Sequence, residues 1–260
     1  MNGTIILSKW LGGKSRICKQ LIELLPEHHC YVEPFGGMAS VLLNKPASAV
    51  EVYNDLNGQI ATLFMVLKFH PDELARELQG LVISRQLFEH FKSHAGLTDI
   101  QRAARLLYAL EYGFGGQGQH FGTSTHKSAI SVQAVIGRAD LVATRFTRVV
   151  VENLDWEDCL ARYDSPQTVF FCDPPYWGTA GYAVPFSERD QIVLADRLRA
   201  IQGKFVMTNS DARFVRGLYR GLPMRTLKSK LTAGSSNSST LSHLVVTNFD
   251  HRAGSVRGGG

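Results

Sequence analysis

The chain has 260 residues, 44% of them apolar and 20% charged, with 24 glycines and 9 prolines, a globular composition that excludes a collagenous, coiled-coil or largely disordered protein. No apolar run approaches the roughly 20 residues of a membrane span, and residues 1–13 lack the basic start and apolar core of a secretory signal. The net charge of +5 is unevenly spread: residues 58–150 carry ten basic and seven acidic side chains, 151–212 five and ten, and 213–260 eight and one, a partition that suits a polyanion held beside an otherwise neutral body.

In chain order, residues 17–25 place Ile17, Leu21, Leu24 and Leu25 at helical spacing and stop at Pro26. Residues 30–33 read as a short strand running into Pro34-Phe35-Gly36-Gly37. A helix begins at 40–43, and a second strand over 49–53 ends at Asn54-Asp55. Strand, glycine turn, helix, and strand with an acid at its tip make the first half of a nucleotide-binding α/β sheet. The pattern then turns helical over 60–69, 71–81, 84–94 and 100–112. A polar, glycine-rich stretch follows at 113–122, too long for a tight turn and of the kind that carries function. Strand patterning resumes at 147–152 and 168–172, a helix at 188–201 and a strand at 204–208. A hairpin over 224–231 and 242–247 surrounds a Gly/Ser/Asn/Thr segment at 233–240, and the tail from 252 reads as disordered. The expectation is an α/β sheet with helices on both faces, interrupted by a mainly helical insertion. Cys18, Cys30, Cys159 and Cys172 show no C-x-x-C spacing, which points to reduced thiols in a cytoplasmic protein rather than a zinc or disulfide framework.

The sharpest chemical feature is Asp173-Pro174-Pro175-Tyr176, directly after the apolar run 169–172. A buried parallel strand ending this way puts an acid, two prolines and an aromatic at the carboxyl edge of the sheet, where open α/β folds bind ligands. Prolines fix φ near −65° and supply carbonyls without donors. The Asp173 carboxylate and the Pro174 carbonyl then form a rigid acceptor pair beside the flat Tyr176 ring. Such a unit suits an exocyclic amino group on a planar base. Its delocalised lone pair is a poor nucleophile, and two acceptors on its hydrogens favour attack on a methyl sulfonium by positioning and electrostatics, with no metal required.

With Lys9-Trp10-x-Gly12-Gly13-Lys14, Glu33-Pro34-Phe35-Gly36-Gly37 and Asn54-Asp55-Leu56-Asn57 in order before it, the chain resembles the Dam-like DNA adenine-N6 methyltransferases, in a phage-type variant, over roughly residues 5–250. The resemblance implies a Rossmann-like methyltransferase fold with 1–57 and 141–250 as the S-adenosylmethionine-binding catalytic domain and 58–140 as a target-recognition insertion. It implies that Asp173, Pro174 and Tyr176 are catalytic. It also implies that Trp10, Lys14, Glu33, Phe35, Gly36, Asp55, Trp156 and Asp173 contact the cofactor, with Lys14 near its methionine end and Asp55 on the ribose hydroxyls. The residues alone leave capping of the next helix as an alternative for Asp55, and the core as one for Trp156. Ala39 departs from the family, many of whose members carry glycine at that place in the turn.

A methyltransferase of this type has to flip its adenine out of double-stranded DNA. Gln117 and Gln119 suit adenine edges in the major groove, and Lys127 and Arg138 suit the duplex. Phe114 or Phe121 either wedges at a base step or anchors the loop, and Arg145 and Arg148 are phosphate contacts or a solvated face. Arg213, Arg216, Arg220, Arg225, Lys228 and Lys230 form a basic stretch beside the active edge. A monomeric enzyme is expected. Cytosine-N4, RNA-adenine and glutamine-amide acceptors fit the same chemistry; Asp173 disfavours the first and third, which more often carry Ser and Asn there. A catalytically silent DNA-binding relative would have no need of Lys14, Asp55, Asp173 and Tyr176 together. The motifs leave the recognition sequence and any partner restriction enzyme open.

Overall fold

A computed structural model of the chain describes residues 4–8, 10, 12–116, 118–122, 125–126, 128–179, 184–230 and 240–250. Within them the apolar runs become strands β1 (Cys30–Glu33), β2 (Val50–Asn54), β3 (Val150–Glu152), β4 (Thr168–Cys172), β5 (Lys204–Ser210), β6 (Met224–Lys230) and β7 (Thr240–Thr247). They join in one sheet of order β3-β2-β1-β4-β5-β7-β6. Strands β1 to β5 are parallel, while β7 runs antiparallel to both β5 and β6. The chain direction across the sheet reverses between β1 and β4, so the crevice for a ligand opens at the carboxyl ends of those two strands. The architecture is the expected Rossmann-like sheet with helices on both faces.

Burial on both faces explains the unbroken apolar runs. All five residues of β4 are buried, and the two-residue period of a strand sends Val169 and Phe171 to one face, Phe170 and Cys172 to the other. The first face is covered by α1 (Cys18–Ile22), α2 (Gly58–Phe69), α5 (Asp99–Tyr112) and α6 (Val132–Phe146); the second by α7 (Trp156–Tyr163), α8 (Glu188–Ala200) and α9 (Arg213–Leu218). Each fully buried Phe or Leu here contributes about 2 to 3 kcal/mol of transfer free energy. The remaining helices, α3 (Pro71–Gln79) and α4 (Arg85–Ser93), lie between α2 and α5 in sequence. Side-chain caps start most of these helices: Asn57, Ser84, Thr98, Ser131 and Asp155 each accept a backbone N–H, and Ser187 and Asp190 form a reciprocal capping box.

Three local differences from the sequence reading have clear causes. The segment 40–43 forms turns rather than a helix, because the Leu42 amide is taken by the buried Glu33 carboxylate at 2.8 Å and Pro46 follows closely. Helix α1 stops at Ile22, and the Leu24 and Leu25 amides close three-residue turns onto the Leu21 and Ile22 carbonyls. Helix α6 occupies a stretch for which the sequence reading names no element. It buries Val135, Ile136, Ala139, Val142 and Phe146 at helical spacing and runs across residue 140, so β3 starts only at Val150. Phe146 stacks on Phe64 of α2 at 4.7 Å between centroids, and Phe64 meets Tyr53 of β2 at 4.4 Å. The helices between β2 and β3 thereby share the main core. Phe88, Tyr108 and Tyr112 make a smaller cluster of their own beneath residues 113–122.

Candidate active site

A cavity of about 220 Å³ opens at the carboxyl ends of β1, β2 and β4. Trp10, Lys14, Glu33, Phe35, Gly36, Asp55, Trp156 and Asp173 all line it. Eight residues from five separate stretches of sequence thus meet in one place. The cause is topological: parallel strands deliver their carboxyl-terminal residues to the same edge.

One wall is aromatic. Phe35 stacks on Trp156 at 6.0 Å with 26° between planes, and Phe186 closes the group edge-on to Phe35 at 5.7 Å. Trp156 is 6% exposed, so it is both a core residue and a wall of the cavity. The floor is the glycine turn. A Cβ on Gly36 would sit 2.2 Å from the Tyr53 ring, and one on Gly37, at φ 48°, would sit 3.1 Å from Trp10 Nε1. Only glycine lets the backbone lie between those rings. Ala39 holds the left-handed conformation at φ 53° with its side chain fully buried.

Asp55 ties the turn to the tip of β2. Its Oδ2 accepts from the Gly37 amide and its Oδ1 from the Asn57 amide, both at 2.8 Å. Burial pushes its carboxyl above the usual aspartate range, with the two amides opposing. The cap of α2 is Asn57, through its side chain to the Gln59 amide, and not Asp55. Glu33 Oε1 accepts from the Tyr31 hydroxyl and the Leu42 amide, each at 2.8 Å, and burial drives its carboxyl up to about 8. Asn54, next to Asp55, joins the strand tips: its Nδ2 donates to the Pro34 and Leu154 carbonyls and its Oδ1 accepts from the Leu154 amide.

Asp173 is the centre of the opposite wall. Its Oδ2 is 2.6 Å from Lys14 Nζ, and its Oδ1 accepts from the Thr208 hydroxyl at 2.5 Å. Lys14 is 3% exposed, also donates to the Gly12 carbonyl, and sits 4.6 Å from the centre of the Tyr176 ring. Burial pushes the Asp173 carboxyl up, opposed by the Lys14 charge and by both hydrogen bonds. A carboxylate has about four acceptor sites, so Asp173 retains acceptor capacity on each oxygen. The loop after it is held from below. Gln191 Nε2 donates to the Pro175 carbonyl, Asn209 Oδ1 accepts from the Trp177 amide, and the Ser210 hydroxyl donates to the Trp177 carbonyl. Asn209 Nδ2 in turn donates to Gln191 Oε1. Pro174, by contrast, is buried, and no described residue donates to its carbonyl. Pro174 and Tyr176 lie outside the lining of the cavity proper, with the Tyr176 ring beneath the Lys14 ammonium.

Phe186, Gln191, Thr208 and Asn209 are absent from the sequence reading. The last two had a visible signal, since Thr208-Asn209-Ser210 prolongs an apolar strand with polar residues that remain buried or half-buried, and buried polar groups need partners. Phe186 had none, because a lone aromatic before a helix cap reads as an ordinary staple. Among the described residues no three His, Cys, Asp or Glu side chains gather as metal ligands, and the four cysteines are free thiols.

Gln117 and Lys127 lie outside the described residues, as do 231–239 and 251–260. Gln119 is exposed, and its carbonyl accepts from Lys92 Nζ at 2.7 Å. Arg138 Nη2 pairs with the buried Glu111 Oε2 at 2.8 Å. The two phenylalanines divide: Phe121 meets Phe88 at 5.6 Å and lies under the Arg85 guanidinium, whereas Phe114 is 71% exposed. Arg145 is structural, forked onto both oxygens of Glu51 and onto the Leu42 carbonyl, while Arg148 is exposed. In the basic stretch Arg216 is paired with Asp211, and Arg213, Arg220, Arg225 and Lys228 are exposed.

The chain is 28% identical to the retron Ec67 DNA adenine methylase of Escherichia coli over 89% of its length and 88% of that protein. It is 25% identical to the DNA adenine methylase of E. coli K12, covering 89% and 90% of the two chains. It is 24% identical to the type II methyltransferase M1.LlaDCHI of Lactococcus lactis subsp. cremoris, covering 93% and 94%. The profile of one family matches residues 10–232, a span that takes in the glycine turn, both acidic strand tips and the Asp173 loop. The chain belongs to the D12 class of N6 adenine-specific DNA methyltransferases.

Proposed function

We propose that the protein holds S-adenosylmethionine in the cavity at the tips of β1 and β2 and methylates an adenine flipped out of double-stranded DNA against Asp173, Pro174 and Tyr176. The observation that carries this reading is the position of Asp173, shared between the lining of the cavity and the Tyr176 side of the loop. The donor set suits the cosubstrate. Phe35, Trp156 and Phe186 offer ring faces to its adenine, Asp55 an acceptor to its ribose, and Trp10, Lys14, Glu33 and Gly36 the charged and close-fitting end for its methionine part. S-adenosylmethionine supplies an electrophilic methyl group on a sulfonium.

Asp173 and the Pro174 carbonyl accept the two N6 hydrogens, so the nitrogen lone pair is freed from the ring and directed at the methyl carbon. On gaining the methyl group N6 would carry one proton too many, and the Asp173 carboxylate, already its hydrogen-bond acceptor, is placed to receive that proton and pass it to solvent. Tyr176 covers the face of the base. The pinned loop beneath contributes by holding these groups still, which avoids reorganisation at the moment of transfer.

Residues 1–57 and 141–250 act as the catalytic part and 58–140 as the reader of DNA, with α6 continuing across the boundary into the catalytic body. Gln117 and Gln119 read base edges, Lys127 and Arg138 contact the duplex, and Phe114 enters the base stack. The exposed basic residues between Arg213 and Lys228 hold phosphates. Both halves of the site come from one chain, which suits a monomer, and a DNA substrate suits a cytoplasmic location. Incubation with labelled S-adenosylmethionine and unmethylated duplex, followed by digestion to nucleosides, is expected to return the label as N6-methyl-deoxyadenosine. Label in cytosine, RNA or protein, or in none of them, overturns the reading.

A further inference from the structure

The Tyr176 ring has a support that no motif contains. Its hydroxyl lies 2.8 Å from His243 Nδ1, and the other imidazole nitrogen, Nε2, lies 2.9 Å from the Ser229 hydroxyl. His243 is on β7 and 4% exposed; Ser229 is on β6. A hydrogen-bonded chain therefore runs from the catalytic loop through the inner strand of the hairpin to its edge strand. The imidazole meets the phenol edge-on, at 75° and 5.8 Å between centroids, while the Lys14 ammonium lies over the phenol ring.

We propose that His243 is a positioning residue for methyl transfer: by fixing the Tyr176 hydroxyl it sets the tilt of the ring against which the target base stacks. The proposal rests on the reading that Tyr176 covers the flipped adenine. Burial, with the Lys14 charge adding to it, pushes the His243 imidazole down to about 4, so at neutral pH one nitrogen donates and the other accepts. That matches a hydroxyl on each side in either tautomer. Sequence patterning gives no hint of this role, because a histidine within an apolar strand reads as a satisfied core residue.

The test compares His243→Phe, His243→Gln, Tyr176→Phe and the double variant His243→Phe/Tyr176→Phe in single-turnover methylation of a duplex, alongside duplex and S-adenosylmethionine binding. Loss of the hydroxyl anchor is expected to lower the transfer rate about ten-fold with both dissociation constants unchanged. His243→Gln, which retains an acceptor, is expected to recover most of the rate. The double variant is expected to be no slower than Tyr176→Phe alone, since the two changes break the same bond. A duplex with 2-aminopurine at the target position reports the ring directly: its fluorescence in the complex differs between wild type and His243→Phe. Wild-type rates in His243→Phe, losses that multiply in the double variant, or an equal loss in His243→Gln overturns the positioning role. Should His243→Phe fail to fold, the His243→Gln and Tyr176→Phe pair decides by the same criteria. A wild-type protein that methylates no adenine overturns the proposed function instead, and the two failures are thereby distinct.

Discussion

The edge around Asp173 and the loop after α5 are both rich in glycine, yet they are built in opposite ways. At the edge the polar side chains are committed inward: Asp55, Glu33, Asp173, Asn54 and Asn209 each hold two or more partners, and a Cβ on Gly36 would strike Tyr53. The described part of the loop is held at its base, where the Phe114 amide donates to the His120 carbonyl and the Gly122 amide to the Tyr112 carbonyl, both at 2.7 Å, and at one side, where Lys92 Nζ reaches the Gln119 carbonyl and Phe121 packs on Phe88. At its tip Gly115, at φ 65°, has open space around it and Phe114 is exposed. Chemistry on a delocalised amine needs atoms fixed to fractions of an ångström, whereas reading a duplex needs groups left free to meet it.

Five substitutions break or sharpen this contrast. Asp173→Ala has the largest expected effect, at least about 10³-fold in single-turnover methylation, or about 4 kcal/mol of barrier, with duplex binding by filter retention largely intact. A variant that still transfers methyl groups removes Asp173 from the mechanism. Next comes the same change made in both regions: Gly36→Ala is expected to cost about 3 kcal/mol or more in urea unfolding, through overpacking against Tyr53. Gly115→Ala costs about 1 kcal/mol, from its left-handed φ alone. Equal losses at the two positions would mean that the loop is as tightly built as the edge.

Glu33 gives a pH signature. Its carboxyl is raised from 4.5 to about 8, chiefly by burial, so the folded state binds the proton more tightly than the unfolded one. The stability this confers is complete below about pH 4.5 and drains away as pH rises toward 8. Glu33→Gln keeps an acceptor for Tyr31 and Leu42 and is expected to flatten the curve of unfolding free energy between pH 5 and 8. A wild-type curve already flat over that range would show that Glu33 titrates normally. Phe114→Ala closes the series. Stability is expected to change by no more than about 0.5 kcal/mol, while kcat/KM on duplex falls about ten-fold, about 1.4 kcal/mol. Unchanged kcat/KM would take the exposed ring out of the duplex interface.

Much of the fold was legible because its signals are local. The apolar run of β4, the turn Pro34–Gly37 and the Asp173-Pro174-Pro175-Tyr176 motif each impose a backbone geometry through neighbouring residues alone. Helix α6 carries a local signal as well, Val135, Ile136, Ala139, Val142 and Phe146 at helical spacing, but Arg145 beside them finds its partners, Glu51 and the Leu42 carbonyl, only far away in the sequence. The same holds at the site. The eight residues expected at the cofactor fall on one cavity because most of them lie at the end of a recognisable strand or in a turn, while Trp156 opens helix α7. Phe186 reaches the cavity only through Phe35 and Trp156, and Thr208, Asn209 and His243 reach the Asp173 loop only from other strands.

By itself, then, the sequence determined the strand tips, the glycine turn, the acceptor pair and the chemical class, since composition, period and motif are properties of contiguous residues. Tertiary structure alone decided that Lys14 faces Asp173, that Tyr176 leans on His243, and that Phe121 is an anchor while Phe114 is free. Those pairings depend on the order of strands in the sheet and on which side chains lose their water when the layers close, and neither is written in any single stretch of the chain.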